Sequence, residues 1–136
     1  MKKILLVIVL LISSQVYGQK APYNVVIDVT SNDSLVHKMA ANWVREIVAA
    51  DPNANVEVVF YGKGLPMITQ GKSTVADSVV KYAAMKNVSF KVCEVAMKNN
   101  GVGKNQLLTG VKTVPDGIYE IISKQHEGWG YIKASR

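Results

Sequence analysis

The apolar positions of this chain change period in a regular way. Asn24 to Thr30 (NVVIDVT) is β-branched and almost wholly apolar, the composition of a strand covered on both faces. Ser31, Asn32, Asp33 and Ser34 follow, each able to accept a bond from the free amides of a helix start. Val36, Met39, Ala40, Trp43, Val44, Ile47 and Val48 then recur at helical spacing until Asp51 and Pro52 end the run. Val56 to Tyr61 (VEVVFY) predicts a second strand, broken by Gly62, Lys63, Gly64, Leu65 and Pro66. Ser73 and Thr74, with Asp77 three residues after Thr74, predict the cap of a helix carrying Val75, Val79, Val80 and Ala83 on one side. Val88 to Cys93 alternates Val88, Phe90 and Val92 against Ser89, Lys91 and Cys93, and a short helical stretch ends by Asn99, Asn100 and Gly101. A short fourth strand spans Val111 to Val114, and Pro115 suits the first turn of a helix with Ile118, Ile121 and Ile122 as its core residues. His126 sits near its carbonyl-rich end, Gly128 can stop it, and Trp129 to Ala134 completes the pattern as a last strand.

Strands alternating with helices call for a parallel sheet of about five strands layered between helices, an α/β fold. Ahead of this domain, Met1, Lys2 and Lys3 precede the apolar run Ile4 to Ile12, then Ser13, Ser14 and the small residue Gly18. That order predicts a secretory signal peptide over residues 1–18, cut before Gln19, and a single domain over 19–136 in a periplasmic or secreted protein. The run falls short of the roughly 20 apolar residues a membrane span needs, so no membrane association is expected after cleavage.

Charge and composition remove some classes of function. The chain has 16 Lys and Arg against 10 Asp and Glu, a formal charge of +6 that falls to +4 without Lys2 and Lys3. The cations are scattered singly, with no basic run and no interleaved aromatics, which argues against a nucleic-acid partner. His37 and His126 have neither metal-ligand spacing nor a cysteine pair nearby, so no metal or other cofactor is expected. Gly71 to Ser73 reads GKS, but Pro66 stands where a phosphate loop of the Walker type needs glycine.

In an open parallel sheet, ligands bind where strands end and helices begin. Three segments fall on that edge: Thr30 to Ser34, with Ser31 and Asp33 as candidate ligand-binding residues; Tyr61 to Gly64, with Gly62 and Gly64; and the turn at Cys93. Cys93 is the one cysteine, and a thiol at a helix start sits where thiolate is favoured; the adjacent Glu94 and the apolar Val95 and Ala96 act against that. A buried cysteine packed at a strand end is the alternative. The two glycines either bring backbone amides to an anion or simply make a turn. Asp28 interrupts an apolar strand and needs a partner, for which His37 or a lysine is available. Trp43, Trp129 and Tyr131 suit core or subunit-contact positions.

The segments VVIDVTSND, NANVEVVFYGKG, VSFKVCEVAMKNNGV and LLTGVKTVPDGIYEIISKQHEGWGYIKA resemble the DsrE-like group of the DsrE/DsrF sulfur-relay superfamily, in its small exported branch. The resemblance implies a three-layer α/β/α sandwich, assembly as a homo-oligomer, and a cysteine, here Cys93, that accepts sulfur and passes it to a partner protein. Many relatives have Asn and Thr just after the cysteine, where this chain has Val95 and Ala96. Two functions are therefore open: sulfur relay or thiol and persulfide handling through Cys93, or a non-catalytic oligomeric binding or scaffold module. Whether the protein is an enzyme is left open with them.

Overall fold

The computed structural model describes residues 21–136; the expected leader and its cut before Gln19 lie outside the described residues. Five strands form one sheet: β1 (Asn24–Val29), β2 (Asn55–Phe60), β3 (Val88–Cys93), β4 (Lys112–Val114) and β5 (Gly130–Ala134). Their spatial order is β4-β3-β2-β1-β5, and every pairing is parallel. The helices are α1 (Ser34–Ala50), α2 (Ala76–Ala83), α3 (Glu94–Asn99) and α4 (Gly117–His126), with 3-10 turns at Leu65–Ile68 and Lys104–Gln106. Among the described residues no helix is long and apolar enough to cross a membrane.

Right-handed crossovers decide which face each helix covers. The chain steps from β1 to β4 in one direction, which puts α1, α2 and α3 on one side. It then returns past all of them to β5, which puts α4 on the other. The first side carries the main core: Ile27, Val58, Phe60 and Phe90 from the strands meet Val36, Val44, Val79 and Met97 from the helices. Phe60 and Phe90 stack with ring centroids 6.2 Å apart. The second side has a much smaller apolar cluster, Val26, Val59 and Ile121, with Tyr61 packed against it.

The predicted strands and helices are present in the predicted order, and the layered parallel sheet is as expected. Three local readings need correction. Ser73 and Thr74 do not cap α2: Val75 is the N-cap without a side-chain bond, Ser73 accepts from the Val75 amide (3.2 Å) instead, and Val80 is exposed rather than on the inner side. Pro115 is not in the first turn of α4: Asp116 is the N-cap and its Oδ1 accepts from the amides of Ile118 (2.9 Å) and Tyr119 (3.2 Å). Nor are the three isoleucines of α4 all core residues. Ile121 is buried, whereas Ile118 is 55% and Ile122 45% exposed. The inner stripe of α4 is instead Gly117, Glu120, Ile121 and Lys124, because the sheet face beneath it is polar.

Candidate functional site

That polar face follows from strand alternation. Asp28 on β1, Glu57 on β2, and Ser89 and Lys91 on β3 are the residues whose neighbours point into the main core. Cys93 continues the same series at the strand end, where it meets Gly117 of α4 and also packs with the main core cluster. It ends β3, pairs with Val114 of β4, and serves as the N-cap of α3 with extended backbone (φ −66°, ψ 122°). The connection after β3 runs to the α1 side of the sheet and the connection after β4 runs to α4. The carboxyl ends of these two neighbouring strands therefore part, which makes a crevice at the topological switch point.

The crevice is a cleft of about 460 Å³. Tyr61, Gly62 and Lys63 line it from the loop after β2; Cys93, Val95, Ala96, Asn99 and Asn100 from the α3 side; and Asp116 and Ile118 from the start of α4. The Asn100 amide donates to the carbonyls of Gly62 (3.1 Å) and Ala96 (2.8 Å), tying two of these walls together. Lys63 has no carboxylate partner among the described residues. Cys93 itself is only 6% exposed. A Cβ on Gly117 would lie 3.0 Å from the Cys93 Cβ and 3.5 Å from the Tyr61 Cβ, so the missing side chain is what lets α4 settle onto the thiol.

Glu94, expected to oppose a thiolate, has its carboxylate engaged elsewhere. Lys104, 3.0 Å away, and the Thr113 hydroxyl, 2.9 Å away, hold Glu94 below the usual carboxylate range. Val95 is exposed rather than packed over the sulfur, and Ala96 is buried in the main core. α3 is only 6 residues long and offers few aligned amides.

Of the four candidate ligand-binding residues, Gly62 lies with Cys93 in the cleft and the other three have different work. Gly64 backs onto β1, where a Cβ would come within 2.2 Å of the Val29 carbonyl oxygen, and its amide donates to Tyr61 (3.1 Å). Ser31 accepts from the Asp33 amide (3.1 Å), and Asp33 caps α1 through the Leu35 amide (2.8 Å) and meets Arg136 at 3.3 Å.

Asp28 is satisfied differently from expectation. His37 donates instead to the Ser31 carbonyl (2.8 Å). Asp28 Oδ2 accepts from Tyr131 (2.7 Å) and from Tyr61 (3.1 Å), with Lys133 Nζ only at 3.9 Å; Oδ1 has no partner among the described residues. Burial, helped by the Asp28 charge, pushes both phenols up to about 12. The network thus fixes one wall of the cleft, since the ring of Tyr61 lines it.

A second polar cluster escapes sequence reasoning almost entirely. Lys91 lies between Glu57 (2.8 Å) and Glu120 (2.6 Å), and Ser89 donates to Glu57 (3.2 Å). Burial pushes Glu57 above the usual carboxylate range against the pull of Lys91. Burial acts the same way on Glu120, but Lys91 and a hydrogen bond with Glu57 outweigh it and leave Glu120 lowered. Burial would lower Lys91, yet its two carboxylate partners raise it. The signal available in the sequence was the alternation of Ser89 and Lys91 with apolar neighbours; the partner on α4 had none. Among the described residues no three His, Cys, Asp or Glu side chains are placed to hold a metal ion.

A sequence model of the DsrE/DsrF-like family matches residues 7–134. The chain belongs to that family. Among solved structures it is similar to a protein of unknown function from Methanobacterium thermoautotrophicum, with 28% identity, a TM-score of 0.76, and coverage of 82% of this chain and 98% of that one. It also resembles the ychN protein of E. coli (12% identity, TM-score 0.69, 82% and 98% covered) and a conserved protein of unknown function from Bacteroides thetaiotaomicron (14%, 0.65, 82% and 94%). These last two likenesses concern the fold. No curated protein sequence matches the chain. DsrE/DsrF-like membership suggests a sulfur-relay related function.

Proposed function

We propose that this protein is an exported, periplasmic or secreted, member of the family that handles thiol or persulfide sulfur through Cys93. The observation that carries this reading is that Cys93 lines a cleft at the switch point between β3 and β4, where an open parallel sheet binds its ligands. In the proposed step the thiol gives its proton to solvent and the thiolate sulfur attacks the outer sulfur of a persulfide R–S–SH. A new S–S bond forms at Cys93 while the donor's S–S bond breaks and its inner sulfur leaves as a thiolate. Cys93 then holds a persulfide that a second thiol can take. No oxidant or reductant is required. Gly62 supports the site from the facing wall.

The donor or acceptor is a partner protein in this reading, and the protein self-associates. Self-association is supported by the outward Ile118, Tyr119 and Ile122 of α4, beside the cleft. Light scattering measures it, and N-terminal sequencing of the exported protein measures the cut before Gln19. A scaffold module with the same fold is the second reading, favoured by the 6% exposure of Cys93.

The deciding experiment is intact-mass and peptide analysis of the protein from its own compartment and after treatment with a low-molecular-weight persulfide, with Cys93→Ser as the blank. One added sulfur on Cys93, removable by a second thiol, is expected. Absence of sulfur on Cys93 in both preparations rejects the relay and leaves the scaffold.

A further inference from the structure

A sulfur at a ligand-binding edge is nearly closed off: Cys93 packs with the main core cluster on one side, and the first turn of α4 lies against it on the other. The attachment of that helix is unusual. Helices on a sheet normally bury an apolar stripe and turn charge outward. α4 does the reverse, with Ile118, Tyr119 and Ile122 exposed and Glu120 and Lys124 on its inner side. Its only buried residues are Gly117 and Ile121. Its side-chain bond to the sheet is that from Lys91 to Glu120 (2.6 Å), one turn from Gly117.

We propose that α4 is a gate over the Cys93 sulfur, held shut by the bond from Lys91 to Glu120 and set by the charge on Glu57. The proposal deepens the reading of Cys93 as the reacting atom and rests on it for its purpose, though not for its test.

The groups that face Glu57 define how the gate is set. From β3 come Lys91 and Ser89, and from α4 comes Glu120, itself influenced by Lys124. On β1, Asp28 lies diagonally across the same face but is engaged by Tyr61 and Tyr131. Glu57 and Lys91 both belong to the sheet, so their pairing ties nothing to α4. An ionised Glu57 competes for Lys91 and repels Glu120; a protonated one leaves Lys91 to Glu120 and can itself donate to it. Lys91 and Ser89 favour the ionised form through one oxygen of Glu57, but the second, buried oxygen has no partner among the described residues, so ionisation there goes uncompensated. Charge on Glu57 therefore loosens the gate, and its loss tightens it. The two carboxylates around one lysine have opposite effects, which a merely structural ion cluster would not have.

The test is the alkylation rate of Cys93 by iodoacetamide at one fixed pH in wild type, Glu120→Gln and Glu57→Gln, with hydrogen exchange measured on the same proteins. Glu120→Gln should raise the rate about tenfold, the size expected for loss of a charge-assisted hydrogen bond, and α4 amides should lose protection while those of β1, β2 and β3 keep theirs. Glu57→Gln should lower the rate severalfold, and since it leaves Lys91 paired with Glu120 it supplies a second reading of the gate that does not depend on Glu120→Gln. Three results overturn the gate: an unchanged rate in Glu120→Gln, acceleration accompanied by equal loss of protection across the sheet, or acceleration in Glu57→Gln. If Cys93 never accepts sulfur but its alkylation follows the latch, the gate stands and the relay reading falls.

Discussion

The two faces of the sheet are built from the same strands, yet one is an apolar core and the other is a polar face with a cleft at its end. On the α1 and α2 side, Val25, Ile27, Val29, Val56, Val58, Phe60, Val88, Phe90 and Val92 form one continuous apolar cluster. On the α4 side the same three strands present a carboxylate, a lysine, a tyrosine or a thiol at most alternate positions, and only Val26 and Val59 join Ile121 as core. Stability is therefore concentrated on one face, and the other can hold ionisable groups and a cleft. The largest effect that can break this contrast is at Phe60, fully buried against Phe90. Phe60→Ala should cost about 3–5 kcal/mol in denaturant unfolding. A cost below that of any single change on the α4 side would mean the division of labour is misassigned.

A middle-sized effect sharpens the same contrast. Tyr131→Phe removes the shorter of the two hydrogen bonds to the buried Asp28 carboxylate (2.7 Å). A bond to a charged group is worth about 1.5–3 kcal/mol, and the lower end applies because Tyr131 is 42% exposed. The pH dependence has a definite sign. Both phenols are raised from 10 to about 12, so the folded protein keeps protons that the unfolded chain gives up. Their contribution is fully present below pH 10 and lost as pH rises through 12. Spectroscopic titration of phenolate should show two late tyrosines, and Tyr131→Phe should leave one. Normal titration of all tyrosines in the folded protein rejects the Asp28 network.

The main-core face was readable from sequence because burial on that side obeys a simple rule: strand residues of one parity and helix residues at 3.6 spacing are both apolar. The same rule misassigned Ile118 and Ile122, since it takes the inner side of a helix to be apolar and α4 meets a polar sheet. Cys93 and Gly62 were found because strand ends and helix starts are local signals. Asp116 and Ile118 reach the same cleft from the start of α4, and only topology brings them to it. Asp28 was recognised as needing a partner, but that partner is 103 residues away on Tyr131, at a strand edge whose pairing no local pattern records. What sequence reading misses here is the identity of the second member of each polar pair.

The smallest effect is also the most diagnostic of the α4 side. Glu57 is raised above its ordinary value of 4.5 and Glu120 is lowered below it. Between 4.5 and its raised folded value, Glu57 binds its proton more readily in the folded protein, so acidification from neutral pH should first stabilise the fold. Below 4.5 the sign reverses, because Glu120 contributes stability only while ionised and loses it as pH falls through its lowered value. Other carboxylates add to that fall, Glu94 among them, since Lys104 also holds it low. The expected profile is a shallow maximum on the mildly acid side of neutral, with an amplitude on the order of 1 kcal/mol or less. Denaturant midpoints across that range measure it, and Glu57→Gln should remove the rise while leaving the fall. Should wild type lose stability monotonically from neutral pH downwards, in parallel with Glu57→Gln, then Glu57 is ionised in the fold at no cost, and the α4 side lacks the strained charge that distinguishes it from the core.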